Sequence, residues 1–260
     1  MPVNKPQFTL ITCTLNSGNY LSNCLESVRR QGYQSFEHIF IDGYSKDKTL
    51  EIVSKYGKNN QDKVRLYFQK PSGVSSAFNL GIKQARGEYL LFLNSDDYLH
   101  DAKVLGDVSN YLRANNDKDW IYGKIKLVEV NGQSVGVFPT KKLFQISSNF
   151  ILKFINFIPH QAVFIKKDIF RKYGSFDTSL EVNMDTDLWL RLAPKTNWIF
   201  FDRIVSSYTL RSDSLTSSIK NINIGFKTLE KVKARYLNRP EMFFAKIGDW
   251  LIAEYNKTYR

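Results

Sequence analysis

The sequence predicts an α/β protein in which a mainly parallel sheet is flanked by helices. Two observations indicate this class. Short apolar runs alternate with amphipathic segments of helical period through the first hundred residues. Each apolar run is also followed by a polar cluster or a turn. Alternation of this kind implies right-handed crossovers between parallel strands.

The first half contains four strand-helix units in order. Predicted strands cover residues 8–14, 38–41, 65–68 and 89–93. The intervening helices have apolar residues on one face, at Leu21, Leu25 and Val28, then Leu50 and Val53, then Val74, Ala77, Phe78, Gly81, Ile82 and Ala85. Gly87 is expected to end the third helix.

The second half is less regular. Strands are expected at 120–130, 136–138, 160–165 and 198–210, with an Asn131-Gly132 turn between the first two. Short helices are expected at 167–173 and 185–192. Two further helices, divided at Arg239-Pro240, form a predicted basic helical extension at residues 219–260.

Composition limits the partners and the location. The 37 basic and 25 acidic residues leave a net charge of +12, which suits phosphates, anionic lipid or nucleic acid. No zinc finger or RNA-binding signature occurs, so nucleic acid is not expected. Cys13 and Cys24 match no metal or disulfide spacing and are expected to be core thiols in a reducing compartment. The sequence has no signal-peptide pattern and no apolar run of transmembrane length.

The most informative segment is the turn Asn94-Ser95-Asp96-Asp97, directly after the fourth predicted strand. In open α/β sheets the carboxyl ends of strands are where ligands bind. A carboxylate pair at that edge suits a hydrated divalent cation that carries phosphate. The alternative is an Asp-rich turn that caps a helix beginning near Asp101. Residue types alone leave both open.

Four segments, taken in order, resemble the inverting nucleotide-sugar glycosyltransferases of family 2, which have the GT-A fold. The first is residues 11–16, Ile-Thr-Cys-Thr-Leu-Asn, and the second is residues 41–49, which resemble the family's DGSxDxT turn. The third runs from Ser72 to Tyr98. The fourth comprises His160-Gln161, residues 174–177 and residues 184–192, and resembles the family's HQ, GGFD and EDYDLWLRL motifs.

The resemblance implies a donor site in residues 1–100 and an acceptor half at 101–218, together one GT-A domain. Asp42 is expected to read the donor base, and Asp47 to cap the next helix. Asp96 is expected to bind Mn²⁺ or Mg²⁺ beside the diphosphate, while Asp97 is a second ligand or a supporting cap. The other candidates for the nucleotide-sugar site are Thr14, Asn16, Asn79, Asn94, Ser95, His160 and Arg211.

Asp185 is the predicted general base, with Asp187 as the second catalytic candidate. A carboxylate at a helix N-terminus is ordinarily stabilised as the anion. The two residues lie about 200° apart around a helix, so both are not expected to face one acceptor. The sequence departs from the family pattern at Asn94 and Met184, which stand where Asp and Glu are usual.

These patterns predict a metal-dependent inverting transferase that moves a sugar from a nucleotide-diphosphate sugar, preferably a UDP-sugar, to a glycan or lipid-linked glycan. The alternatives are a non-catalytic nucleotide-sugar-binding protein and a sugar nucleotidyltransferase. Aromatic stretches at 150–158 and 242–251 are expected to be core helices or a membrane-interface surface. The expected location is the cytoplasm, with peripheral contact at the cytoplasmic face of the inner membrane as an option.

Overall fold

The structure, a computed structural model, describes residues 5–58, 60, 63–211 and 219–258. Side chains are described as far as residue 249, apart from those of Leu143 and of residues 219–223. Residues 212–218, most of the polar loop that begins at Arg211, lie outside the described residues.

A single sheet organises the protein. Its strands are β1 (Phe8–Thr14), β2 (Phe36–Asp42), β3 (Val64–Phe68), β4 (Tyr89–Phe92), β5 (Tyr98–Leu99), β6 (Trp120–Glu129), β7 (Ser134–Phe138), β8 (Val163–Lys166) and β9 (Trp198–Leu210). The order across the sheet is β3-β2-β1-β4-β8-β6-β9-β5, and β7 pairs with β6. The first four strands are mutually parallel, as predicted, and β6 is parallel to β9. The remaining pairings are antiparallel.

Helices cover both faces of the sheet, which confirms the predicted fold class. The helices are α1 (Leu21–Arg29), α2 (Thr49–Lys58), α3 (Val74–Gln84), α4 (Val104–Ala114), α5 (Asn149–Phe154), α6 (Lys167–Tyr173), α7 (Met184–Leu192), α8 (Ile219–Lys233) and α9 (Arg239–Thr258). One core cluster packs α3, α5, α6 and α7 on the sheet, and the other packs α1, α2 and α4 on the opposite face. Side chains of β1 point alternately into the two clusters, with Ile11 in the first and Leu10 in the second.

Close packing of α3 on β1 depends on Gly81. A Cβ atom added there would lie 2.5 Å from Cγ2 of Ile11. The absence of a side chain therefore lets the helix approach the strand.

The C-terminal helices pack on the sheet domain. Val232 of α8 is buried in the first core cluster, and the buried Lys233 ammonium donates to Phe154 O (2.6 Å) and to Asp249 Oδ1 (2.7 Å). Within the described residues, no helix has both the length and the hydropathy needed to cross a bilayer.

The directions of the strands explain how residues far apart in the sequence come to lie at one edge of the sheet. Because β8 is antiparallel to β4, its first residue lies at the carboxyl edge of β4. The predicted strand at 160–165 is corrected here, since His160–Ala162 form a 3-10 turn that enters β8 from that edge. The parallel relation of β9 to β6 likewise brings Arg211 to the same edge. We call this edge, with the loops that follow β1, β2 and β4 and with Arg211 after β9, the candidate site.

Candidate active site

Asp42 ends β2 as a fully buried carboxylate. One oxygen accepts from the hydroxyls of Thr14 and Ser45, both at 2.7 Å, and the other accepts from the Ser45 N–H at 2.8 Å. The carboxylate therefore holds the end of β1 and the turn after β2 together. A ligand group that reaches Asp42 has to share or displace these hydrogen-bond donors.

The loop after β1 is tied to the turn after β2. Asn16 has a left-handed backbone (φ 50°), and its side-chain oxygen accepts from the Lys46 N–H at 2.9 Å. Asp47 accepts from the N–H groups of Thr49 and Gly18, at 3.0 and 2.9 Å. Asp47 is thus structural, as predicted. It caps α2 from a position two residues before Thr49, the first residue of that helix.

Asp96 is paired with Arg211. The carboxylate lies 3.0 Å from Nη1 of Arg211, and the backbone carbonyl of Asp96 accepts from the Thr209 hydroxyl. The Arg211 guanidinium also lies over the ring of Tyr20, 3.5 Å from the centroid. Arg211 therefore links the end of β9, the turn after β4 and the loop before α1.

Asp97 is a support rather than an open ligand. It is 0% exposed and accepts from the Thr209 N–H (3.2 Å) and the Asn94 amide (3.0 Å). Burial and the charge of Asp96 raise its pKa to about 7, against opposing effects of His160, Thr209 and Asn94. Neighbouring Ser95 donates to the hydroxyl of Ser17 (3.0 Å), so its side chain also joins two loops.

His160 connects the turn after β4 to α7. Its Nε2 lies 3.3 Å from the Asn94 amide nitrogen, and its Nδ1 lies 3.7 Å from a carboxylate oxygen of Asp185. The other Asp185 oxygen accepts from the Thr186 N–H at 2.8 Å. Asp185 remains about one quarter exposed, so its carboxylate is accessible from solvent.

Asp187 is separated from this group, which corrects its place among the catalytic candidates. It is 2% exposed and accepts from Arg235 Nη1 (3.0 Å), Tyr236 OH (2.8 Å) and Arg191 Nη2 (3.4 Å). The physical reason is the helical rotation between Asp185 and Asp187, which turns Asp187 toward α8 and the protein interior.

Asn79 does not join the site either. Its amide donates to the Phe176 carbonyl (2.9 Å) and accepts from the Phe176 N–H (3.0 Å). Both ends of the amide are therefore used to tie α3 to the loop after α6, and its predicted nucleotide-sugar contact is not supported.

The residues near Asp96 suit a cation that arrives with the substrate. Among the side chains that the structure describes, no group of three or more His, Cys, Asp or Glu is arranged to hold a metal. Mg²⁺ and its analogues nevertheless bind through one or two carboxylates when substrate phosphates and water complete the shell. Asp96, which is about one fifth exposed, supplies one carboxylate, and Asn94 supplies a neutral oxygen.

Sequence reasoning missed two kinds of contact. Tyr20 and Thr209, which contact Arg211 and the Asp pair, carry no motif signal. Tyr44 and Phe68, both about half exposed, stack with ring centroids 5.5 Å apart beside Asp42. Tyr44 has φ 63°, a left-handed conformation that is unusual for an aromatic residue. That strain gives no sequence signal.

The sheet and the carboxylates at one edge define a glycosyltransferase of the GT-A fold. The chain belongs to the family described as "Glycosyl transferase family 2", whose match covers residues 9–174. That span runs from β1 through α6 and includes the Asp42 turn, the Asp96 turn and His160.

Sequence relatives agree with this assignment. A PGL/p-HBAD biosynthesis glycosyltransferase of Mycobacterium bovis is 31% identical over 186 residues, 72% of this chain and 69% of the relative. An uncharacterized glycosyltransferase of Rickettsia felis is 28% identical over 98% of this chain and 42% of its own length.

Two solved structures share the fold. S. aureus TarS 1–349 in complex with UDP-GlcNAc has a TM-score of 0.69 at 22% identity, covering 90% of this chain and 72% of TarS 1–349. The mannosyltransferase PcManGT from Pyrobaculum calidifontis, in complex with GDP-Man and Mn²⁺, has a TM-score of 0.69 at 15% identity, covering 94% and 70%.

Proposed function

We propose that this glycosyltransferase is metal-dependent and inverting, with a nucleotide-diphosphate sugar as donor and a hydroxyl of a glycan or lipid-linked glycan as acceptor. A UDP-sugar is the preferred donor, by analogy with the UDP-GlcNAc bound to TarS. The observation that carries the proposal is the polar connection from Asp97 through Asn94 and His160 to Asp185. It joins the donor side of the site, where Asp96 lies, to the partly exposed carboxylate of Asp185.

In this mechanism Asp185 accepts the proton of the acceptor hydroxyl, while the acceptor oxygen attacks the anomeric carbon. The bond from that carbon to the diphosphate oxygen breaks, and its electron pair leaves with the nucleoside diphosphate. Attack from the face opposite the leaving group inverts the anomeric centre. His160, 3.7 Å from Asp185, orients the carboxylate.

The diphosphate is held at the other end of this connection. Asp96, with Asn94, would hold a Mn²⁺ or Mg²⁺ ion, whose charge stabilises the leaving diphosphate. Arg211 supplies a protein cation at the same place. Asp96 would then share its carboxylate between Arg211 and the cation or give up the ion pair, and the Arg211 guanidinium would lie where it can donate to a phosphate oxygen.

A thermal-shift titration tests donor binding. Nucleoside diphosphates, with and without Mn²⁺, are added to wild type and to Asp96→Ala. Because a ligand that binds only the native state raises Tm by mass action, we expect one nucleotide with Mn²⁺ to raise the Tm of wild type and not of Asp96→Ala. An equal rise in both proteins would contradict the metal assignment.

A non-catalytic nucleotide-sugar-binding protein is the second candidate. The observation in its favour is that neutral Asn94 and Met184 stand where the family usually has acids. Turnover separates the two, since a binding protein would show the thermal shift without nucleotide release. Family membership favours transfer of sugar over the nucleotidyltransferase alternative.

We further propose peripheral contact with an anionic membrane at the cytoplasmic face of the inner membrane. Phe150 on α5 and Phe243 and Phe244 on α9 are 70%, 64% and 61% exposed, on two helices that pack together. Exposed aromatics with nearby lysines suit a lipid interface.

Pelleting with anionic liposomes at low and moderate salt tests the proposal, with the double variant Phe243→Ser and Phe244→Ser as the comparison. Absence of pelleting at both salt concentrations removes it.

A further inference from the structure

The C-terminal segment holds the helix that carries the proposed base. Arg235 and Tyr236 lie in the turn after α8, and both donate to the same oxygen of Asp187, at 3.0 and 2.8 Å. Asp187 lies in the first turn of α7, two residues after Asp185. Because the Asp187 carboxylate is almost fully buried, the loss of Arg235 or Tyr236 leaves a buried charge with fewer donors, which is costly.

The beginning of α7 is held from the same side. Asn183, which precedes α7, has a left-handed backbone (φ 59°, ψ 20°), and its amide donates to the Gly225 carbonyl of α8 at 2.7 Å. Left-handed backbone in a residue other than glycine persists only where the surroundings hold it. The contact with α8 therefore fixes the direction in which α7 starts.

Arg235 also fixes the loop before α7. The Nη1 atom that contacts Asp187 lies 2.8 Å from Asp177 Oδ2. Hydrogen bonds from Ser179 and then from Arg235 lower the pKa of Asp177 to about 2, which indicates that its ionised form is stabilised. One guanidinium thus bridges the incoming loop and the first turn of the helix.

We infer that Arg235 is a positioning residue for transfer: through Asp187 it sets the orientation of the α7 turn that presents Asp185 toward His160. The inference rests on the proposed role of Asp185. It makes the C-terminal segment part of the machinery that positions the base, although Arg235 contacts none of the side chains assigned to the sugar donor or to the acceptor substrate. Tyr236 acts on the same carboxylate.

The test compares Arg235→Gln and Tyr236→Phe with Glu230→Gln, which removes an exposed ion pair between Glu230 of α8 and Lys246 of α9. We expect Arg235→Gln to lower kcat by at least about tenfold, because small misplacements of a catalytic group are expensive. The nucleotide-induced thermal shift and the donor KM should stay within about twofold of wild type. Arg235→Lys should restore part of kcat, and Glu230→Gln should leave all values unchanged.

A double-mutant cycle distinguishes positioning from a general structural role. In the Asp185→Asn background no base remains to be oriented, so Arg235→Gln should lower the residual rate little further. A general loss of structure would instead multiply the two losses and weaken nucleotide binding. If Arg235→Gln does not fold, Tyr236→Phe is used for the same cycle.

Two results would overturn the inference: an unchanged kcat in the folded Arg235→Gln and Tyr236→Phe proteins, or multiplicative losses in the cycle. A wild-type protein without nucleotide release would instead overturn the proposed function. The two failures are therefore distinguishable.

Discussion

The Nδ1 atom of His160 lies 3.7 Å from a carboxylate oxygen of Asp185. The ring reaches this position because β8 is antiparallel to β4, which brings the turn before β8 to the carboxyl edge of the parallel strands. The histidine therefore spans the gap between the Asp96 turn and α7.

Replacement of the two α7 carboxylates should have different effects. We expect Asp185→Asn to lower kcat by about 10²- to 10⁴-fold, the usual contribution of a general base, with little change in Tm. Asp187→Asn should lower Tm, because Arg235 and Tyr236 lose a charged acceptor. Initial rates and thermal melts measure both. An active Asp185→Asn beside an inactive but fully stable Asp187→Asn would reverse the assignment.

Arg211 should affect metal and nucleotide in opposite directions. In Arg211→Gln, Asp96 loses an ion-pair partner, so Mn²⁺ should bind the nucleotide-free protein about twofold to fivefold more tightly, the range of partly exposed ion pairs. Nucleoside diphosphates should bind more weakly because a cation is lost. Calorimetric titrations of Mn²⁺ and of nucleotide measure the two effects. Lys55→Gln, an exposed change on α2, controls for net charge, and parallel changes in both affinities would argue against competition between Arg211 and the metal for Asp96.

His38 should make the free energy of unfolding depend on pH in the acidic range. Burial lowers its pKa from 6.5 to about 3, while its ring nitrogens contact the hydroxyls of Thr12 and Tyr56. The neutral ring therefore stabilises the fold fully above pH 6.5. This contribution is lost as the pH falls toward 3, because the unfolded chain takes up the proton first. The slope from one proton is at most about 1.4 kcal/mol per pH unit.

Urea unfolding of wild type and His38→Gln between pH 7 and 4 measures this slope. The glutamine retains a donor and an acceptor without titrating in this range, so its unfolding free energy should fall less with acid. Identical pH dependence in the two proteins would show that another group causes the loss.

Two glycines offer a matched pair of alanine substitutions. At Gly87 an added Cβ would lie 2.6 Å from backbone atoms of Phe8 and Thr9, so Gly87→Ala should destabilise by about 1–3 kcal/mol. At Gly106 in α4 the nearest atom is 3.9 Å away, and Gly106→Ala should stabilise by up to about 1 kcal/mol. Denaturant midpoints measure both. A neutral or stabilising Gly87→Ala would contradict the close approach at Gly87.

The sequence predicted local features well and long-range pairings poorly. The observed bounds of β1, α6 and β9 equal the predicted ones, since apolar runs and helix ends depend on neighbouring residues. The pairing of Asn79 with the Phe176 backbone joins positions 97 apart in the chain. The helical period alone indicates that the side chains of Asp187 and Asp185 point in different directions. It does not identify Arg235 and Tyr236 as the partners of Asp187.

The site shows the same division. The alternation of elements placed Asp42 and Asp96 at one edge, because strand ends follow from it, while His160 was assigned to the site only through the family resemblance. Neither gave any sign that Arg211 would contact Asp96 and Tyr20, which requires β9 to run beside β5 and end near α1. Contacts between segments more than a hundred residues apart depend on the order of the strands in the sheet. That order cannot be predicted from the types of the residues in each segment.

The most direct measurement is nucleotide release from a panel of nucleotide-sugar donors, with Mn²⁺ or with chelator, in wild type, Asp96→Ala and Asp185→Asn. Our account predicts release from at least one donor by wild type with Mn²⁺, strong loss with chelator and in Asp96→Ala, and loss in Asp185→Asn with donor binding retained. Release that is equally fast in Asp185→Asn, or independent of both metal and Asp96, would contradict it.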